Sequence, residues 1–158
     1  MKKIIISLLI LFVSASAFAQ TPDELFSQYK GKKNAEYVHL GRVLFKMLKP
    51  IVNHHADDPT AKAVMRGIKS LRVLDLEECS QKVKQQFAQS AKGLTTKGYE
   101  PIVSSNTDGD RTLILVRQKK SSIRELLILN TGDDDCTLVQ LKGKIKPENV
   151  SNIIKKIK

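Results

Sequence analysis

The sequence predicts an α+β domain built on one antiparallel-rich sheet of about five strands, with the helices packed on one face. Two patterns lead to this expectation. Short apolar runs separated by turn signals fill the second half of the chain, whereas apolar residues elsewhere recur at helical spacing. The composition, 41% hydrophobic and 27% charged over 158 residues, is that of a globular chain and excludes collagen-like and low-complexity classes.

The first 19 residues have the pattern of a secretory signal peptide. Two lysines follow the initial Met, the run Ile4–Val13 is apolar, and Ala17–Ala19 matches the A-x-A cleavage rule. The apolar run is well short of the roughly 20 residues that a transmembrane helix needs. We therefore expect cleavage between Ala19 and Gln20, and export of residues 20–158 to the periplasm or the medium.

Without the leader, 139 of the 158 residues are left with a formal net charge of +9, because the leader holds two of the 27 Lys and Arg and none of the 16 acids. A basic surface can attract anionic lipid, polysaccharide or nucleic acid. The lysines are spread along the chain, without interleaved aromatic residues or a nucleic-acid motif. This distribution favours an ordinary solvated surface, and we expect no nucleic-acid partner.

Residues 20–36 form a polar N-terminal segment that precedes a single α+β domain over residues 37–158. Within the segment, Thr21–Asp23 resembles a helix start. From Tyr37 the apolar residues fall close to helical spacing, which predicts a helix with His39 on its flank. We expect Pro50 to end or kink this helix, and a short helical turn to follow and close at Gly67.

The run Ile68–Leu76 is typical of a buried strand, and the apolar residues from Val83 to Leu94 indicate one face of a helix. Asp108-Gly109 supplies the chemistry of a hairpin turn. Pro147 and Glu148 open the last helix, in which Val150, Ile153, Ile154 and Ile157 share one face. Four further strands are predicted at Tyr99–Ser105, Arg111–Gln118, Ile123–Leu129 and Cys136–Leu141.

Cys79 and Cys136 both lie in the part expected to be exported, where oxidation is permitted. Cys79 follows the first predicted strand and Cys136 opens the last, so a disulfide between them is conceivable if these strands are antiparallel neighbours. It would stabilise the chain by about 4 kcal/mol in the chain-entropy model. Two buried free thiols are the alternative, because pairing cannot be read from the sequence. Neither cysteine has an evident histidine partner for nucleophilic catalysis.

The one metal-like cluster is His54-His55 with Asp57-Asp58, which we interpret as a surface loop because Pro59 makes the segment a break. Asp133–Asp135 lacks the ligand spacing of a calcium loop and is interpreted, like Asp108–Asp110, as a solvated hairpin tip. The sequence contains no nucleophile elbow, P-loop, zinc-protease or dinucleotide motif. We therefore expect no catalytic residues, metal or cofactor.

Several segments from Phe45 onward carry a family resemblance. They are IKSLRVL at Ile68–Leu74, LTTKGYEP at Leu94–Pro101, IRELL at Ile123–Leu127 and LVQLKGKI at Leu138–Ile145. Together they resemble the family catalogued as domain of unknown function 4252, small exported proteins found mainly in Bacteroidetes-type bacteria. The resemblance implies an α+β fold and an envelope location, and it supplies no catalytic residues. Many members look like lipoproteins, but this chain has no Cys near Gln20 to take the lipid.

These features predict an exported, non-enzymatic envelope protein that binds a partner protein or an anionic envelope component through a sheet face or edge. An exposed apolar patch or an uncovered edge strand would favour this hypothesis. The alternative is a small-ligand carrier or an unrecognised hydrolase with its site between sheet and helices. A concave apolar pocket with convergent polar groups would favour the alternative.

Overall fold

A computed structural model describes residues 20–55, 58–94 and 96–157. The expected leader with Ala19, residue Asp57, and the side chains of His54, His55, Ile153, Ile154 and Ile157 lie outside the described part. In chain order the elements are α1 (Pro22–Tyr29), β1 (Glu36–Leu40), α2 (Arg42–His55), α3 (Pro59–Gly67), β2 (Ile68–Asp75), α4 (Gln81–Lys92), β3 (Glu100–Thr107), β4 (Asp110–Lys119), β5 (Ser122–Thr131), β6 (Cys136–Ile145) and α5 (Pro147–Ile157).

The strands form one antiparallel sheet in the order β1-β2-β6-β5-β4-β3. The predicted α+β class is confirmed, but the sheet has six strands rather than about five. The additional strand is β1, where Tyr37 pairs with Leu74 and Leu40 with Leu71. The predicted helix start at Tyr37 is therefore wrong, and His39 lies in a strand rather than on a helix flank. Pairing with β2 outweighs the helical spacing of so short a segment.

Of the two outcomes expected at Pro50, an end or a kink of the helix, the end is wrong, because α2 continues through Pro50 to His55. A proline inside a helix removes one backbone hydrogen bond, so it can bend a helix without ending it. The backbone at His54 and His55 is consequently helical rather than a loop. Asp58 instead caps the start of α3, where its carboxylate accepts a hydrogen bond from the Thr60 N–H at 2.9 Å.

Helices cover both faces of the sheet, which corrects the prediction of a single covered face. Consecutive residues of β4 and β5 are apolar, so both faces of these strands need cover. Leu113 and Leu115 pack into one core cluster with residues of α1 and α4, whereas Ile114 and Val116 pack into a second cluster with Phe45 of α2. Residues of α3 and α5 complete the second cluster.

The short helix α1 belongs to the first core, although it lies in the polar segment 20–36. A capping box fixes its start: the Thr21 N–H donates to the Glu24 carboxylate at 2.7 Å, and the Glu24 N–H donates to the Thr21 hydroxyl at 3.3 Å. Leu25, Phe26 and Tyr29 are buried. The Tyr29 ring meets the Phe87 ring edge-on at 5.1 Å between centroids, which joins α1 to α4.

Candidate functional site

The two ends of the sheet carry opposite charge. Antiparallel pairing gathers the start of β2, the end of β6 and the β4–β5 turn at one end, and the remaining strand ends at the other. Each end also holds residues of the opposite sign, among them Glu125, Glu148 and Lys84. The acidic end contains Asp75, Glu77, Glu78, Asp108, Asp110 and Asp133–Asp135. The other end, called the basic end below, contains Arg42, Lys46, Arg66, Lys69, Arg117, Lys119, Lys120, Lys142, Lys144 and Lys146.

Two adjacent cavities lie at the basic end. The first, the α2 cavity, has a volume of about 380 Å³ and lies between α2, the end of α3 and the start of β2. The second, the α5 cavity, has a volume of about 410 Å³ and lies between α3, the end of β6 and the start of α5. Arg66 lines both cavities. Cations therefore surround two neighbouring depressions that share Arg66, rather than a flat surface.

The walls of the two cavities differ in chemistry. Phe45 and Ile68, 5% and 4% exposed, are the apolar residues of the α2 cavity, and Arg42, Lys46 and Lys69 accompany them. The α5 cavity is more polar. Its lining consists of Ala63, Arg66, Gly67, Lys144, Lys146, Glu148 and Asn149.

Two glycines bring α3 against β6 and so create the boundary between the cavities. A Cβ atom on Gly143 would lie 2.1 Å from the carbonyl oxygen of Gly67, and one on Gly67 would lie 2.6 Å from that of Lys144. Both distances are far inside van der Waals contact, so only glycine allows this backbone approach. The close contact explains why Arg66, at the end of α3, reaches both cavities.

The first turns of α2 expose a group of large apolar side chains beside these cations. Val43 is 76% exposed, Met47 69% and Leu44 47%. Val43 and Met47 are four residues apart and Leu44 and Met47 three, so the three share one side of the helix. Phe45 points the other way, into the core. Exposed apolar side chains grouped in this way mark a surface that contacts another molecule.

The sheet edge at β3 is the other exposed feature of interest. All residues of β3 are exposed except the half-buried Val103, and Ile102 is 38% exposed. Pro101 and a register shift between Pro101 and Val103 interrupt its pairing. Proline and bulges are the devices by which proteins protect sheet edges from further pairing. The edge is therefore uncovered, but it is poorly suited to adding a strand.

A buried polar network lies on the face that α1 covers. Glu125, in β5, is buried and accepts hydrogen bonds from the Tyr99 hydroxyl at 2.7 Å and from Gln140 Nε2 at 2.6 Å. Arg117 Nη1 lies 3.5 Å from the other carboxylate oxygen, and its guanidinium lies 4.2 Å from the centre of the Tyr99 ring. Burial, and next the bond to Glu125, raise the pKa of the Tyr99 hydroxyl.

Arg72 extends this network to α1. Its guanidinium donates to Gln140 Oε1 at 3.2 Å and to the Tyr37 hydroxyl at 3.2 Å, and it forms an ion pair with Asp23. It also stacks 4.0 Å from the centre of the Phe26 ring. The network therefore ties the N-terminal helix to five strands, β1, β2, β6, β5 and β4. Because its buried groups bond to one another, we assign it a structural role.

Cys79 and Cys136 are both buried free thiols in the first core cluster. Burial raises the pKa of the Cys79 thiol, and it raises the pKa of Cys136 to about 12, although Lys84 acts in the opposite direction. Thiols with raised pKa are weak nucleophiles. The Cys79 thiol donates to the carbonyl of Lys33 at 3.4 Å. Pairing of the two cysteines stays a prediction.

The remaining residues singled out by the sequence are not brought together. Gln20 lies beside α4, where its N–H donates to the carbonyl of Gly93 at 2.8 Å. Asp108 and Gly109 have positive φ angles of 51° and 92°, as the predicted hairpin turn requires. Asp133–Asp135 is exposed at the acidic end. Across the described residues, no group of three or more His, Cys, Asp and Glu side chains could hold a metal ion.

Sequence reasoning missed the basic end. Its cavities combine residues from Arg42 to Asn149, and each residue by itself is an ordinary solvated cation or a small residue. The one available signal was the glycine pair Gly67 and Gly143, but its meaning depends on a contact between distant segments. In the part of the chain that the structure describes, no helix is long and apolar enough to cross a membrane.

The fold and the site define a class: a small α+β protein with a six-stranded sheet and a basic end that contains two cavities. A family model, described as Domain of unknown function (DUF4252), matches residues 29–153, which is well over half of the chain. The chain belongs to this family, as the resemblance implied. Both cavities lie within the matched residues. No curated protein and no solved structure matches the chain.

Proposed function

We propose that residues 20–158 form an exported, non-enzymatic envelope protein that docks on an anionic lipid surface through its basic end. One observation carries the proposal: Val43, Leu44 and Met47 expose an apolar surface directly beside Arg42 and Lys46. An apolar face flanked by cations is the pattern of helices that lie in the interface of acidic membranes.

The expected energies are those of reversible docking. Each Lys or Arg close to an acidic lipid surface contributes about 1 kcal/mol. An apolar side chain that leaves water completely contributes a further ~1.5–3 kcal/mol. Four cations line the α2 cavity and three apolar side chains protrude beside it. Together they suffice for binding that salt weakens, because the cationic part is screened.

Export and the absence of catalysis rest on the sequence. The leader pattern ending at Ala19 supports export, and the lack of a recognised catalytic motif supports a binding role. The hydrogen bonds that Glu125 accepts from Tyr99 and Gln140 agree with a structural role for this carboxylate.

Vesicle sedimentation tests the proposal. Purified residues 20–158 are expected to sediment with phosphatidylglycerol vesicles, to bind them less at high salt, and to stay in solution with phosphatidylcholine vesicles. The pair Val43→Asp and Met47→Asp should lower the affinity about tenfold or more, because it replaces inserted apolar groups by charges that the surface repels.

Two controls are matched to these changes. Ile102→Asp, compared with Val43→Asp alone, introduces the same charge at an exposed apolar residue of β3, at the opposite edge of the sheet from α2. Lys46→Glu should also weaken binding, and Lys82→Glu is its control, because it changes the charge equally on α4, on the other face of the sheet. Equal loss of binding in the α2 variants and the controls, or equal binding to neutral vesicles, would contradict docking through the basic end.

A further inference from the structure

The two cavities of the basic end differ in a way that a flat lipid surface would not require. The α2 cavity is bordered by Phe45 and Ile68, which are apolar and almost fully buried. The α5 cavity, on the other side of Arg66, is bordered by Lys144 and Lys146. Cations thus line both cavities, Arg66 is common to the two, and only the α2 cavity has large apolar residues in its wall.

We infer that the two cavities together bind a single anionic amphiphile, with its hydrocarbon chain in the α2 cavity and its phosphate group in the α5 cavity. The inference rests on the proposed function, since it concerns the same basic end, and it names the molecule that the end selects. The bound molecule would be a phosphate monoester or a phospholipid with an exposed phosphate, rather than a neutral or zwitterionic lipid.

The sizes of the cavities fit this occupant. Their volumes of about 380 and 410 Å³ each lie within the range of small-molecule sites. The rim cations of the α2 cavity, Arg42, Lys46 and Lys69, have long apolar stems that can line a hydrocarbon chain while their charged ends stay in water.

Charge favours an anion at the basic end, and the lack of large apolar residues in the α5 cavity assigns the phosphate to that cavity. Arg66, Lys144 and Lys146 line the α5 cavity together with a single acid, Glu148. Arginine and lysine are the side chains that recognise phosphate, arginine by paired hydrogen bonds and lysine as a point charge. A choline headgroup would place its own cation among these residues, and we expect it to be rejected for that reason.

Three soluble probes separate the parts of the inference: dodecyl phosphate, dodecylphosphocholine and inorganic phosphate, each below the concentration at which micelles form. Calorimetry should show saturable binding of dodecyl phosphate, with the other two at least about tenfold weaker. Amide resonances of Gly67, Ile68 and Lys144 should shift on addition of dodecyl phosphate. If inorganic phosphate binds as tightly as dodecyl phosphate, the site recognises only the anion. If dodecylphosphocholine binds as tightly, the cations do not select the headgroup. Either result overturns the inference.

Two variants address the α5 cavity. Lys144→Gln removes one exposed cation, and we expect it to weaken dodecyl phosphate several-fold with little effect on dodecylphosphocholine. Ala63→Leu fills the cavity without a change of charge and should have the same effect. Lys82→Gln, on the opposite face, is the matched control and should bind as the parent does. Unchanged affinity in Lys144→Gln, which alters a solvent-exposed side chain, would contradict the inference even if Ala63→Leu fails to fold.

The vesicle and amphiphile measurements can fail separately. Docking on phosphatidylglycerol vesicles without saturable binding of dodecyl phosphate would overturn the single-amphiphile site and leave the proposed function intact. Binding of dodecyl phosphate without vesicle docking would contradict the proposed function and identify a soluble amphiphile carrier.

Discussion

Among single residues, Gln140 has an unusual position because it bonds to an acid and a base at once. Its amide nitrogen donates to Glu125 and its amide oxygen accepts from Arg72. A side chain with both a donor and an acceptor is needed there, and glutamine supplies them. The chain of contacts from α1 to β5 passes through this one amide.

We expect Gln140→Leu to destabilise the protein by about 1–3 kcal/mol, because it leaves the buried Glu125 carboxylate and Arg72 each without one partner. Urea unfolding of residues 20–158 measures the loss. Gln118→Leu is the matched control, since Gln118 is exposed on β4 of the same sheet. Similar stability of the two variants would show that the network does not depend on the Gln140 amide.

The raised pKa of Cys136 predicts a dependence of stability on alkaline pH. The pKa of the folded thiol is about 12, and an unfolded thiol ionises near its ordinary value of about 8.5. Between these values the unfolded chain releases a proton and the folded chain keeps it. The contribution of this thiol to the free energy of unfolding is therefore fully present below pH ~8. It falls as pH rises, by up to about 1.4 kcal/mol per pH unit.

Reduced Cys136→Ala should consequently lose stability less steeply than the reduced parent as pH rises. Urea unfolding at several pH values between about 8 and 11, with reductant present, measures the slope. Parallel slopes in parent and variant would show that the thiol ionises equally easily in the folded protein.

Among the elements, α3 and β6 depend on each other most directly. Their contact has no side chains between the backbones at Gly67 and Gly143. This is an unusual requirement, because most helices in the protein rest on the sheet through apolar side chains. The position of Arg66, and with it the boundary of the two cavities, follows from the contact.

Gly143→Ala should destabilise the protein by about 1–3 kcal/mol, because the new Cβ would collide with the Gly67 carbonyl and push α3 outward. The same displacement of α3 should move Arg66 at the basic end, and we expect it to weaken vesicle binding for that reason. Gly31→Ala is the control, since a Cβ there meets no atom within 4 Å. If Gly143→Ala has the stability and vesicle binding of the parent, α3 can shift to accept the new Cβ without loss of folding free energy, which contradicts the prediction.

On the scale of the whole molecule, one end of the sheet is basic and the other acidic. The formal net charge of +9 for residues 20–158 describes neither end. A charge distribution of this kind orients a protein near a charged surface, with its attracted end forward. The exposed apolar residues of α2 lie at this same basic end. The end that an acidic surface attracts is therefore also the end that can insert apolar side chains.

The two cysteines offer a second prediction for the whole molecule. Material exposed to a thiol–disulfide oxidant should form a Cys79–Cys136 bridge, which closes the chain between the β2–α4 connection and β6. Its mass should fall by two hydrogens, and the bridge should raise the free energy of unfolding by about 4 kcal/mol relative to the reduced form. Cys79→Ser should show neither change, and two titratable thiols after full oxidation would contradict the prediction.

Features of the fold that depend on neighbouring residues could be predicted from the sequence, whereas features that depend on distant segments could not. The hairpin at Asp108-Gly109 and the α5 start at Pro147 were predicted correctly because turn and capping chemistry is local. The strand β1 was missed because five residues are too few to separate a helical from an alternating pattern, and its partner β2 decided the outcome. An end of α2 at Pro50, one of the two outcomes expected there, was wrong for a related reason, since the penalty of a proline is local and the helix is not.

Local chemistry, readable in the amino-acid order, set the family, the α+β class, and most of the strands and helices. The second covered face, the sixth strand, the separation of charge and the two cavities arose only from folding. Their physical reason is the same in each case: they depend on which distant segments meet. A lysine in β6 and an arginine in α3 have no relation along the chain, and only the contact between Gly67 and Gly143 gives them one.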